Sequence, residues 1–390
     1  MNPLKIRINK LVETLYPQLV EMRRHFHKHP ELSFEEAHTS KTLQELLTKA
    51  GLNYSTGWCK HGIVGLIEGN NPQSRIIALR ADMDGLPITE TNDIAYKSVH
   101  EGIMHACGHD VHMTCLLGAL MVLQNLKAEL EGTIKFIFQP AEEKLPGGAS
   151  ILIQEGVLDN PKPGLIIGQH VQVGMPVGRI GLNHGAFMAS SDEIYIKVIG
   201  KGGHAAQPQL CIDPVYIASQ LIISLQALIS REKQASIPSV LSFGKIETEG
   251  GATNVIPDIV NIEGTFRSLD ETWRKHAHQR MNEICDHVSK AFNAVCSLEI
   301  RKGYPCLIND SVQTSRLTEF AENYLGTDHV ELMEARLTSE DFAYYSQEIP
   351  AVFYRLGVGN SSGVHTSTFN IDESAIKTGS GLMAYLAMKM

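Results

Sequence analysis

The chain of 390 residues has no surplus of basic charge: 34 Lys and Arg stand against 43 Asp and Glu, a formal net charge of −9. That balance argues against a nucleic-acid surface, which needs a concentrated basic patch, and mainly favours solubility. No apolar run reaches the roughly 18 uninterrupted residues of a membrane span, so neither nucleic acid nor membrane is expected as a partner. The opening stretch, MNPLKIRINKLVETLYPQL, interrupts its apolar residues with charges and does not read as a secretory signal. A disulfide framework is missing too. The seven cysteines are odd in number and scattered, which fits a reducing, cytoplasmic compartment. No internal repeat or low-complexity segment is evident.

What the chain does have is histidine, 17 in all, and one dense stretch at residues 104–112, Met-His-Ala-Cys-Gly-His-Asp-Val-His. His105, Cys107, His109, Asp110 and His112 are all side chains that bind metals or move protons. Imidazole and thiolate are ligands that zinc, manganese, nickel or cobalt accept. In an extended segment Cys107 and His109 would point the same way and could share one site. Taken alone, a polar turn with a buried free cysteine and solvated histidines would also account for the stretch. The length makes two domains the natural expectation.

Residues 5–28 read as an amphipathic helix through Leu11, Leu15, Leu19, Met22 and Phe26, ended by His29-Pro30. Its His25, His27 and His29 read as a solvated face. A second helix at 35–50 stops at Gly51. Short apolar runs follow, each ending in chemistry. The run 76–79 leads to Asp82 and Asp84, 134–138 to Glu142 and Glu143, and 165–168 to Gln169-His170. The run 351–356 is trailed by a loop that delivers His365, and the Cys107/His109 loop precedes an apolar helix at 112–130. In open α/β sheets ligands bind beyond the carboxyl ends of the strands, so these groups can converge at one rim of a mainly parallel sheet flanked by helices. Between 185 and 298 the order becomes β-α-β-β-α-β, the ferredoxin-like α+β arrangement. The expected organisation is one domain in two segments, 1–184 and 299–390, with a second domain inserted at 185–298.

Glu142 and Glu143 are adjacent and cannot point the same way in an extended segment. One carboxylate can bind metal while the other carries protons, as metal-assisted hydrolysis requires. A solvated acidic loop is the plainer reading, and the position directly after a buried strand and Pro140 speaks against it. Cys107 could instead be a nucleophile with a nearby histidine as base. That leaves Glu142, Glu143, His170 and His365 without a role, whereas a thiolate bridging two metal ions uses them all.

The motifs together resemble the M20 metallopeptidase family, in its amidohydrolase branch of aminoacylase-like, hippurate-hydrolase-like and auxin-conjugate-hydrolase-like enzymes. They are Arg23-Arg24 with His29-Pro30-Glu31, Arg-Ala-Asp-Met-Asp at 80–84, His105-Ala-Cys107-Gly-His109-Asp110 and Gln139-Pro-Ala-Glu142-Glu143. Later come Gly200-Lys-Gly-Gly-His204, Asn254-Val-Ile-Pro257, Gly264-Thr-Phe-Arg267, Ser339-Glu-Asp-Phe342 and Val364-His365. The resemblance implies two divalent metal ions per subunit (Mn, Zn, Ni or Co), bridged by Cys107, with His109, Glu143, His170 and His365 as further ligands. It implies Glu142 as general base, Asp84 orienting a ligand from behind, and His204, Asn254 and Arg267 facing substrate, Arg267 as the bidentate partner of a carboxylate. For Arg267 a surface ion pair is the plainer alternative. The two-segment domain would be catalytic, and the inserted one a lid and the surface of a homodimer or higher homo-oligomer. Two positions depart from the branch: Gln209 stands where a histidine is frequent, and Thr366-Ser367 follow His365 in place of a histidine or proline.

The activity so implied is hydrolysis of the amide of small N-acyl amino acids, hippurate-like or N-acetylated, by metal-activated water. A dipeptidase or an N-acetyl-diaminopimelate-type deacetylase would use the same site. A metal-containing binding protein of the same fold is the rival from another class, and the presence of Glu142 argues against it.

Overall fold

The structure is a computed structural model that describes residues 2–390. The chain forms two compact units: Met1–Gly185 with Ile308–Glu334 and Asp341–Met390, and Ala186–Leu307 with Ala335–Glu340.

In the first unit α1 (Pro3–Lys28) starts at Asn2, whose side chain accepts the Leu4 N–H, with proline in the tolerated first turn. After α2 (Ala37–Lys49) come β1 (Asn53–Trp58), β2 (Gly62–Glu68), β3 (Ile76–Asp82), α3 (His109–Asn125), β4 (Thr133–Gln139), β5 (Leu165–Gln172) and β6 (Ile180–Leu182). The second unit contains β7 (Ser190–Ile199), α4 (Pro214–Ala227), β8 (Ser239–Glu249), β9 (Ile259–Ser268), α5 (Glu271–Ala291) and β10 (Val295–Lys302). The first unit resumes with α6 (Ser311–Leu325), β11 (Val330–Leu332), β12 (Ala351–Gly357) and α7 (Ala375–Lys389).

The first unit's eight strands lie in the order β1-β2-β4-β3-β5-β12-β6-β11. Its middle, β4-β3-β5-β12, is parallel. Strands covered on both faces need continuous apolar runs rather than alternation, and β4 and β12 are buried at every position. Helix α3 is apolar almost all round, the mark of a fully buried helix, and it packs against α1, α7 and β3.

Two expectations change here. His170 lies inside β5, opposite Arg355 of β12, rather than after the strand's end. The strand outlasts its apolar run because its polar residues find partners: Gln169 accepts from Tyr354 at 2.9 Å, and His170 Nδ1 is 2.8 Å from the Val171 carbonyl. His27 is not on a solvated face; it is fully buried, with Nδ1 2.8 Å from Asp110 and Nε2 3.1 Å from Glu90. Burial alone would lower its pKa, and these two carboxylates outweigh that and raise it.

The second unit's sheet runs β8-β9-β7-β10, antiparallel throughout. Alternation in β7 buries Ile194, Ile196 and Val198 against Leu221 and Leu225 of α4 and Ala277 and Met281 of α5. The order is that of a ferredoxin-like fold. Strand β10 continues to Lys302, so a division between 298 and 299 would fall inside a strand.

Arg23 and Asp110 tie α1 to α3 through a 2.9 Å bond between side chains with no solvent exposure. Removing one partner of such a pair leaves a buried charge alone, at a cost of about 3–5 kcal/mol. Arg23→Met should lower unfolding free energy by that order in a denaturant titration, and adding Asp110→Asn should restore part of it. An unchanged midpoint for the single variant would contradict the pairing.

Candidate metal centre

The approach to α3 is a sharp turn, so the condition of an extended segment through Cys107 and His109 is not met. Gly108 sits at φ +85, and a Cβ there would lie 2.6 Å from Val171 Cγ2. Only glycine meets both the left-handed backbone and the close approach. The turn leaves Cys107 in the loop and His109 as the first residue of α3.

Around that turn the ligand atoms converge. Cys107, His109 and His170 form one set, Cys107, Glu143 and His365 a second, and His109, Glu142 and Glu143 a third, each with its atoms within 4.8 Å of one another. Cys107 Sγ lies 3.3 Å from Nε2 of both His170 and His365. His365 Nε2 is 3.3 Å from Glu143 Oε1, and His109 Nε2 is 3.8 Å from the same oxygen and 3.9 Å from Glu142 Oε2.

The residues behind these atoms decide which nitrogen faces inward. A carbonyl can only accept, so His170 Nδ1 carries the proton it gives to Val171 and its Nε2 keeps a lone pair. His109 Nδ1 donates to Asp84 Oδ1 at 3.2 Å. Asp84 also accepts from Ser33 Oγ at 2.6 Å and from the backbone N–H groups of Glu142 and Glu143 at 3.1 and 2.9 Å. These bonds hold the turn after β4, where Ala141 takes φ +55 and donates its N–H to Glu36 Oε1 at 2.8 Å. Glu142 Oε1 accepts the Asp341 N–H at 3.4 Å. His365, at φ +62, is set by its own N–H donating to the Ala106 carbonyl at 2.7 Å.

A cation fits this donor set. His109 Nε2 and Glu143 Oε1 are buried without a well-formed hydrogen bond, an arrangement a protein interior avoids unless another group satisfies these atoms. Burial, then the charges of Glu143 and Glu142, push the Cys107 thiol far up. Burial, then Arg355, push His170 down. His109 is raised to about 10: burial works against this, and Asp82 and Asp84 overcome it. A buried pocket with this excess of negative donors favours divalent cations, and the two sets that share Cys107 offer places for two.

The sequence profile described as Peptidase family M20/M25/M40 matches residues 78–389. The chain belongs to the M20 peptidase family. Over 368 residues it is 39% identical to an N-acetyl-L-cysteine deacetylase of Bacillus subtilis, covering 94% of this chain and 86% of that one. It is 37% identical to an N-acetyldiaminopimelate deacetylase of a Geobacillus strain, covering 95% and 97%. Among solved structures, a dinuclear metal binding peptidase of the M20 family from Bacillus subtilis superposes with a TM-score of 0.83 at 33% identity, covering 96% and 98%.

In this M20 chain, then, Cys107, His109, Glu142, Glu143, His170 and His365 meet in the first unit, with Asp84 behind them. The other three residues named from sequence lie in the second unit. His204 and Asn254 are exposed neighbours, on and beside a short ladder pairing His204 with Val255, and the Ala205 N–H donates to the Asn254 carbonyl at 3.0 Å. Arg267, on β9, donates to Ser339 at 3.3 Å. Among the described residues Arg267 forms no ion pair with a carboxylate, although the charges of Asp192 and Glu193 are felt at it. Sequence reasoning missed Ser33, Glu36 and the His112–Asp82 contact of 2.6 Å, whose imidazole accepts the Val171 N–H at 3.0 Å beside His170. No spacing rule marks them, since each acts across a gap in the sequence.

Asp84→Asn keeps the shape but presents N–H donors to a place already crowded with donors. Loss of such a supporting contact typically costs 10–100-fold in metal affinity. A competition titration with a chelating dye should show a loss of that order, and wild-type affinity in the variant would mean that Asp84 does not support the metal ligands.

Proposed function

We propose that this M20 hydrolase cleaves the amide bond of N-acyl amino acids, with Glu142 as the proton carrier. The observation that carries the reading is the thiol of Cys107 shared between two ligand sets, with the Glu142 carboxylate at their edge. On this reading Cys107, His109 and His170 would hold one cation, and Cys107, Glu143 and His365 a second. The bound cations would lower the pKa of water toward neutrality and polarise the scissile carbonyl. Glu142 takes the proton as water attacks the carbonyl carbon and a C–O bond forms. It then returns that proton to the nitrogen as the C–N bond breaks, giving an acid and an amine, and the acid's remaining proton passes to the amine to leave a carboxylate and an ammonium group. Asp84 keeps His109 in the tautomer that leaves Nε2 as donor to metal.

The likeness to an N-acetyl-L-cysteine deacetylase supports an N-acetylated amino acid as substrate, and the likeness to an N-acetyldiaminopimelate deacetylase supports the same bond on a longer amino acid. Arg267, with no carboxylate of its own, is assigned to the substrate α-carboxylate, and His204 and Asn254 to the acyl and amide groups. The second unit is also assigned the dimer surface, because α4 exposes Val215, Tyr216 and Ile223 and the edge strand β8 exposes Ile246. No helix among the described residues is long and apolar enough to cross a membrane.

Glu142→Gln should lower turnover roughly 10²–10⁴-fold with metal content unchanged. Activity near wild type would remove Glu142 as base, and a variant stripped of metal would make it a ligand instead. Arg267→Ala should raise KM roughly tenfold or more for substrates with a free α-carboxylate and leave the amidated analogues alone. Equal effects on both would reject the contact, and cleavage of free dipeptides only would reject the substrate class.

A further inference from the structure

Four histidines outside the Cys107 centre meet where α1 ends and α2 begins. His25 and His29 are one helical turn apart, with ring centres separated by 4.8 Å. His38, in the first turn of α2, lies 5.9 Å from His25 and 5.7 Å from His29, and His100 lies 5.9 Å from His29. Backbone contacts fix the three segments. The Glu31 carboxylate accepts the N–H groups of His38 and Thr39 at 3.0 and 2.7 Å, which holds the start of α2. The Val99 N–H donates to the Lys28 carbonyl at 2.9 Å and brings His100 to the end of α1.

His100 Nδ1 donates to the Pro30 carbonyl at 2.8 Å, which leaves Nε2 as the nitrogen available to a ligand. Partial burial, then His38 and Lys28, lower the pKa of His25; burial, then His25, His38 and His100, lower that of His29. Neutral imidazoles are what a divalent ion requires. Around a tetrahedral ion with nitrogens at 2.0–2.1 Å, neighbouring imidazole centres stand roughly 5 Å apart, close to the 4.8–5.9 Å among His25, His29 and His38, with His100 approaching the set through His29. The nitrogens do not converge within 4.8 Å as those around Cys107 do, so a site here requires the exposed rings of His25 and His38 to turn toward His29. A solvated helix face accounts for His25 and His29 but not for two further histidines arriving from other segments at the same place.

We propose that His25, His29 and His38, with His100 as the fourth ligand, form a second cation site for an imidazole-preferring divalent ion such as Zn²⁺, Cu²⁺ or Ni²⁺. The ion clamps the end of α1 to the start of α2, on either side of the 30–36 loop from which Ser33 and Glu36 support the catalytic turn. The proposal is independent of the substrate reading above.

The test is metal analysis of the full-length protein after equilibrium dialysis against Zn²⁺, repeated with Co²⁺ as a spectroscopic probe. Wild type should bind one equivalent more than the His25→Gln/His38→Gln variant, while the sulfur-to-cobalt charge-transfer band of the Cys107 centre has the same intensity in both. The extra equivalent should persist in Cys107→Ser. Equal stoichiometry in wild type and the double variant overturns the site, and loss of the extra equivalent in Cys107→Ser overturns its independence from the Cys107 centre.

Discussion

The centre depends on the carboxylate of Asp84. Its two oxygens accept from the Ser33 hydroxyl, the His109 ring and two consecutive backbone N–H groups. One buried side chain thereby sets both the tautomer of a ligand and the shape of the turn that presents Glu142 and Glu143. Burial opposes its charge, but the hydrogen bonds from His109 and Ser33 and from the backbone prevail and hold its pKa below the ordinary carboxylate value. Asp84 remains an acceptor because every neighbour donates to it.

The same economy appears at the start of α3. His109 turns to the ligand cluster while the next residue, Asp110, turns to Arg23 and His27 of α1. Placing a candidate ligand on the first turn of a helix buried along most of its length ties its position to the core. Three of the turns with positive φ lie in or next to the cluster, at Gly108, Ala141 and His365, and only the last two carry a side chain at that φ.

Much of this was legible in the sequence because chemistry follows hydrophobic runs in one direction: Asp84, Glu142 and His365 each come after a buried strand, and the ferredoxin-like order of the second unit follows from its alternation. Where the structure departs from that pattern, a polar residue had been treated as punctuation. His170 looked like the end of a strand and is part of one; His27 looked solvated and is buried, since a partner 83 residues away in sequence makes its burial tolerable. Cys107 and His109 do share a site, but through a left-handed glycine rather than an extended alternation. Ser33 and Glu36 left no trace at all, because a supporting hydrogen bond needs only one oxygen in the right place and imposes no pattern.

The position of β12 bears on how the molecule is made. It lies between β5 and β6 in the middle of the large sheet, yet it begins only at Ala351. The sheet of the second unit is complete by Lys302. A ribosome therefore releases every strand of the later-starting unit before the earlier one can close its interior, and domains generally fold as units during synthesis. His365 is the last residue of the cluster to emerge, so the nascent chain holds an unfinished cluster until the strands of both units have been translated.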